Sequence, residues 1–166
     1  LDGELTVGVR VVAAYDFEAA GDQGWTVGSP TNATTGEWTR ADPIGTAAQP
    51  ENDNSPSPGT RCWFTGQGSV GGSLGANDVD GGYTTLRSSN FDVSTLSDPK
   101  ISFWLWYSNT TGGSPGADTF RVALSNNGGV SWVTALTVGP SGAGTSGGWE
   151  KYSLRMGDHL TITNQL

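Results

Sequence analysis

The residues best placed to do chemistry lie in Gly75-Ala76-Asn77-Asp78-Val79-Asp80-Gly81-Gly82, where Asn77, Asp78 and Asp80 offer three oxygen-bearing side chains within four positions. Oxygen donors at that density suit a hard divalent cation such as calcium, and the Gly81-Gly82 pair permits the left-handed backbone that turns carbonyls inward beside them. The same residue types also make ordinary turns, so the pattern alone reads equally as a metal loop or as a tight reversal. Other chemistry has less to build on. The single histidine, His159, sits in Gly157-Asp158-His159 with no nucleophile-elbow motif in the chain, which argues against a Ser-His-Asp triad. Glu37, Glu51 and Glu150 are scattered over a loop and a strand start, with nothing nearby to raise one carboxyl as an acid for glycoside cleavage. One cysteine, Cys62, and one histidine cannot assemble a Cys/His zinc site, and Cys62 reads as a small buried hydrophobe. A non-enzyme is the expectation.

Composition narrows the partners. The chain of 166 residues carries a formal charge of −8, with two lysines and six arginines, which makes nucleic acid and anionic membranes poor partners. No run of about 18 apolar residues is present, so membrane insertion is not expected. No signal peptide is visible, while scarce lysine with abundant Thr, Ser, Asn and Gly points to a secreted, extracellular protein met in processed form.

The elements that would position these residues are short strands. A count of 26 glycines and no sustained 3.6-residue apolar period predict an all-β domain. Leu5 to Val12 alternates, with Val7, Val9 and Val11 on one face, and Ala13 to Glu18 follows as a second strand with Tyr15 and Phe17 on one side. Gly28 to Gly59 reads as a long decorated loop, with Trp38 and Ile44 packing part of it back on the body. Further strands are predicted at Arg61 to Phe64, Tyr83 to Ser88, Phe91 to Val93, Ile101 to Ser108, Thr119 to Ser125, Trp132 to Val138, Trp149 to Met156 and Leu160 to Leu166. Asn126-Asn127-Gly128-Gly129 signals a hairpin between the strand ending at Ser125 and the one starting at Trp132, and Ser125 to Trp132 looks like an Asp-box turn with Asn127 where Asp is usual. The spacing fits a two-sheet antiparallel sandwich with long loops.

Several stretches together resemble the MAM-like jelly rolls of secreted bacterial multidomain proteins, including those attached to immune-inhibitor-A-type peptidases. They are Asp16-Phe17-Glu18 with Trp25, Gly59-Thr60-Arg61-Cys62-Trp63, Asp78 to Leu86, Phe91-Asp92-Val93-Ser94, Ser102 to Ser108 and Ser125 to Trp132. The resemblance implies a concanavalin-like jelly-roll sandwich over 14–166 and a calcium ion held by Asp16, Glu18, Asn77, Asp78 and Asp80. It also implies a further Asp-rich last strand, which the segment ending at Leu166 lacks, while residues 1–13 add a strand ahead of the usual start. A sandwich short of a strand exposes edges, and the alternating Val7, Val9 and Val11 segment could fill a neighbour's gap by donor-strand addition, giving a self-assembled fibril.

The expected role is therefore a calcium-binding structural or adhesive module, partnered by itself or by an extracellular protein or glycan. Two alternatives stand beside it. One is a carbohydrate-binding module stacking sugars on Trp38, Trp104 and Trp106, and the other is an interaction module of a larger secreted hydrolase. Sequons at Asn32 and Asn109 could carry glycans, although such triplets also arise by chance.

Overall fold

The computed structural model describes residues 9–166, and these are all-β apart from one 3₁₀ turn at Met156–Asp158. Eight strands follow in order: β1 (Thr26–Val27), β2 (Trp38–Ala41), β3 (Cys62–Thr65), β4 (Leu86–Arg87), β5 (Lys100–Ser108), β6 (Phe120–Leu124), β7 (Val133–Val138) and β8 (Ser146–Arg155). They pair as four antiparallel two-stranded ribbons, β1–β4, β2–β3, β5–β8 and β6–β7. Among the described residues no ladder joins one ribbon to another, so the two continuous sheets expected from the strand spacing are not formed.

β5 and β8, nine and ten residues long, make the longest ribbon, β5 alternating bulky residues throughout and β8 carrying large side chains from Trp149 onward after Ser146-Gly147-Gly148. Their register pairs Ile101 with Leu154, Phe103 with Tyr152 and Leu105 with Glu150 on one face, and the rings of Phe103 and Tyr152 stack with centroids 5.6 Å apart. Ile101 reaches the core, where Val93, Leu124 and Met156 are buried together under Phe91, Leu96, Ala135, Leu160, Ile162 and Leu166. β6 and β7 form the expected hairpin. In its turn Ser125 Oγ accepts the Gly129 N–H at 2.8 Å, Asn127 Oδ1 accepts the Ser131 N–H at 3.0 Å, and Trp132 Nε1 donates to the Gly129 carbonyl at 3.1 Å. Asn127 thus does with an amide oxygen what Asp would do with a carboxylate, which is the fold role expected of this turn.

Several predicted strands are absent for one physical reason, the lack of a partner ladder. Of Leu5 to Val12, the part up to residue 8, including Val7, lies outside the described residues. Val9, Val11 and Val12 are not in a strand and are exposed, the first two at 89% and 67%. Ala13 to Glu18 is also irregular. Asp16 Oδ1 accepts the Glu18 N–H at 3.1 Å, a local bond that replaces a ladder bond, and Phe17 takes φ +63°. Tyr15 and Phe17 still share a side, stacked at 5.8 Å, each edge-on to Trp25. Only Leu86–Arg87 of the stretch Tyr83 to Ser88 pairs. Phe91 and Leu166 exchange reciprocal backbone bonds without extending into strands. Conversely, β2 lies inside the stretch read as a long loop.

Candidate functional site

The five oxygen-bearing residues expected around one cation fall into two groups at opposite ends of the β2–β3 ribbon. At one end Glu18 Oε1 accepts the backbone N–H groups of Thr60 and Arg61 at 2.9 and 2.7 Å, just ahead of β3. Asp16 lies beside it, its carbonyl accepting a bond from Ser55 Oγ at 3.3 Å. These two acids, with Ser55, Pro56, Pro58 and Gly59, line a shallow open concavity of about 260 Å³. The segment is fastened from below by Arg40 of β2. Its side chain is only 7% exposed and lies 4.0 Å from Asp22, while its guanidinium donates to the carbonyls of Phe17 and Ala19.

At the other end Asn77, Asp78 and Asp80 lie against the residues that follow β3 and precede β2. Asn77 Nδ2 donates to the Gln67 carbonyl at 2.6 Å. The Asp78 carbonyl accepts from Thr35 Oγ1 at 2.9 Å, and the Asp80 carbonyl accepts the Thr34 N–H at 2.8 Å, with an isolated bridge between Thr35 and Asp80. Backbone, more than side-chain oxygen, makes these contacts. The Asp78 carboxyl is held above its ordinary value, first by burial and then by the neighbouring charges of Asp80 and Asp118, with its own backbone N–H opposing.

Thr60–Arg61 and Gly66–Gln67 bracket the four residues of β3, which alone span roughly 13 Å at ~3.3 Å per residue. A single ion of 2.3–2.6 Å reach cannot be shared across that length. Among the described residues no three His, Cys, Asp or Glu side chains converge as a metal-holding group. The single five-ligand site implied by the resemblance is therefore not assembled. Glu18 has also committed one oxygen to two backbone donors. What remains is an Asp16–Glu18 cup with two carboxylates, a hydroxyl and nearby carbonyls.

The tryptophans expected to offer a stacking surface also separate. Trp38 is half-buried with its ring edge-on to Phe120 at 6.4 Å. Trp106 is half-buried, edge-on to Trp149 at 6.0 Å and closely covered by Gly147. Trp104 remains 49% exposed with the Lys151 ammonium 6.0 Å from its ring centre. Alternation along the strand placed Trp104 and Trp106 on one face but gave no sign that Trp149 and Lys151 would join them, because cross-strand register is not written in either strand alone.

The two sequons also part. Asn32 is exposed, although its Oδ1 accepts the Tyr83 N–H at 2.9 Å. Asn109 is 8% exposed, and its Nδ2, the atom a glycan would occupy, donates to the carbonyls of Asp118 and Pro140 at 2.8 Å each. In the folded chain Asn109 is a structural anchor and not a glycan acceptor. Cys62 is half-buried within β3, and burial together with Asp53, Asp42 and Glu18 pushes its thiol up to about 12.

No protein-family model, curated protein or solved structure matches this chain.

Proposed function

We propose that this chain is a non-catalytic extracellular structural or adhesive module that completes its fold by pairing with β structure from another copy. The supporting observation is that, among the described residues, all four ribbons are two-stranded. A lone hairpin is marginal in water, and three or more strands are usually needed for independent stability, so each ribbon carries strand edges suited to further pairing. The exposed valines at 9, 11 and 12 supply apolar, β-prone residues for such pairing, as in donor-strand addition. In this reading strands added from another copy would join the ribbons into the sheets of a jelly roll of the MAM-like kind, and calcium bound at the Asp16–Glu18 cup stiffens the segment that Arg40 fastens. The test is sedimentation velocity from 1 to 200 micromolar, on the order of the range where a weak strand contact forms. Mass that grows with concentration, with loss of growth when Val9 and Val11 are changed to Asp, is the expected outcome. A monomer across the whole range overturns the reading.

A further inference from the structure

The ribbon β5–β8 has a second face, turned away from the core. Because Ile101 packs into the core, alternation puts Lys100, Ser102, Trp104 and Trp106 on the opposite side of β5, and the register sets Arg155, Ser153, Lys151 and Trp149 directly across from them on β8. The face is thus a ladder of four pairs running ~20 Å along the strands: two cations, two hydroxyls, an indole with an ammonium, and two indoles. Ser102 Oγ donates to Ser153 Oγ at 3.0 Å, and Trp149 Nε1 donates to the Asn52 carbonyl at 3.3 Å, which closes the indole end under the loop. The Trp104 ring stays open between these ends.

The charge on this face runs against the rest of the molecule. Three of the eight cationic side chains, including both lysines, stand on it, although the chain as a whole is at −8. Lys100 and Arg155 are engaged by Asp98 at 3.2 and 2.9 Å, with Asp158 a further 4.0 Å from Arg155. Lys151 has no carboxylate within ion-pair distance among the described residues, only the face of Trp104. An exposed, flat indole stacks on the apolar face of a pyranose ring, and an ammonium beside it favours a carboxylate on that ring or the next.

We propose that this face binds a polysaccharide that carries occasional uronate residues, with Trp104 as the stacking platform and Lys151 as the carboxylate contact. A single ammonium that rests over the Trp104 ring with no carboxylate partner among the described residues matches sparse charge. A nucleic acid, with a phosphate at every unit, needs a continuous cationic track that this face lacks.

The test is affinity electrophoresis of the full chain in gels containing glucuronoxylan or the same polymer with its carboxyls reduced, in sodium buffer without divalent ions. Retardation by glucuronoxylan that weakens on carboxyl reduction is expected. Trp104→Ala should weaken binding by ~10-fold or more, as expected for losing a stacking contact worth at least ~1.4 kcal/mol. Lys151→Gln, at an exposed position that leaves the ribbon intact, should bind the native and reduced polymers alike. Trp132→Ala, which removes an exposed indole elsewhere, should bind as the parent does. Absence of retardation by either polymer overturns the proposal, as does equal binding of both by the parent, or stronger retardation by oligo-dT. Self-association is not needed for any of these readouts.

Discussion

At Cys62 burial is the first cause and Asp53, Asp42 and Glu18 the second, and together they hold the thiol near 12. The thiolate is the reactive form, so at pH 8 a group of that pKa exposes about one part in ten thousand as thiolate, against roughly a quarter for an ordinary thiol. A thiolate of higher pKa is also the stronger nucleophile, so we expect a disulfide reagent at pH 8 to label Cys62 more than ~10-fold more slowly in the native chain than in urea, a ratio read directly from the absorbance traces. Labelling at the unfolded rate would show that the β3 environment is open. Asp78 offers the opposite kind of test. Its folded value lies above the ordinary 3.8, so the native state holds the proton more tightly than the unfolded chain. That contribution is fully present below the unfolded value and is lost as pH rises through the raised one. Asp78→Asn should therefore melt higher than the parent at pH 7 without metal, with the difference closing as pH falls below about 3.8. Calcium should raise the parent's melting temperature through Asp16 and Glu18, and the Asp78→Asn variant should respond equally. A loss of the calcium response in that variant would place the ion at Asp78 instead.

At the scale of elements, the loop 77–80 and the ribbon β2–β3 are held together by backbone approaching backbone. Gly66 has φ +61°, and a Cβ there would overlap the Asn77 carbonyl oxygen; at Gly36, φ +75°, it would lie 2.5 Å from that of Asp78. Neither position admits a side chain. Gly66→Ala should cost about 3 kcal/mol or more, from a positive φ and a clash that only loop displacement relieves, measured as a lower urea midpoint with an unchanged slope. Such contacts explain what could be read in advance. β5, β6, β7 and the part of β8 from Trp149 onward were legible because their alternation and the Asn-Gly-Gly turn are local signals, whereas Ser146–Gly148, read as loop, joins β8 through its partner; the all-β class was legible in the glycine content and the missing helical period. β2 was hidden among turn formers because only Trp38 and Thr39 carry strong strand preference, and its partner β3 lies more than twenty residues away. The separation of Asp16 and Glu18 from Asn77, Asp78 and Asp80 was likewise invisible, since composition reports which oxygens exist and not which strand lies between them. Asn77, expected as an ion ligand, serves in the fold as a contact between loop and ribbon through its bond to the Gln67 carbonyl.

For the whole molecule, surface area connects these pieces. The accessible surface is 10159 Å² for 17.2 kDa, whereas a compact monomer of that mass exposes ~7,800 Å². A standard contact removes only about 600–1,000 Å² from each partner, so the excess of roughly 2,300 Å² is more than one such contact takes from a copy. The core agrees, since apart from Pro43 and Pro99 only Val93, Leu124, Val138 and Met156 are buried apolar side chains among the described residues, and none of the large ones is wholly enclosed. Association by strand edges would bury apolar and backbone surface between copies that each carry −8, so charge opposes it. Salt should then act in opposite directions on the two proposed contacts. Raising sodium chloride from about 10 to 500 mM shortens the screening length from roughly 30 Å to a few ångströms, which removes repulsion between copies and weakens the Lys151–uronate attraction. Sedimentation should show self-association strengthening several-fold over that range, while retardation by glucuronoxylan declines. Self-association that weakens with salt would mean that ion pairs, and not open strand edges, hold the copies together, and the edge-pairing function would fall with it.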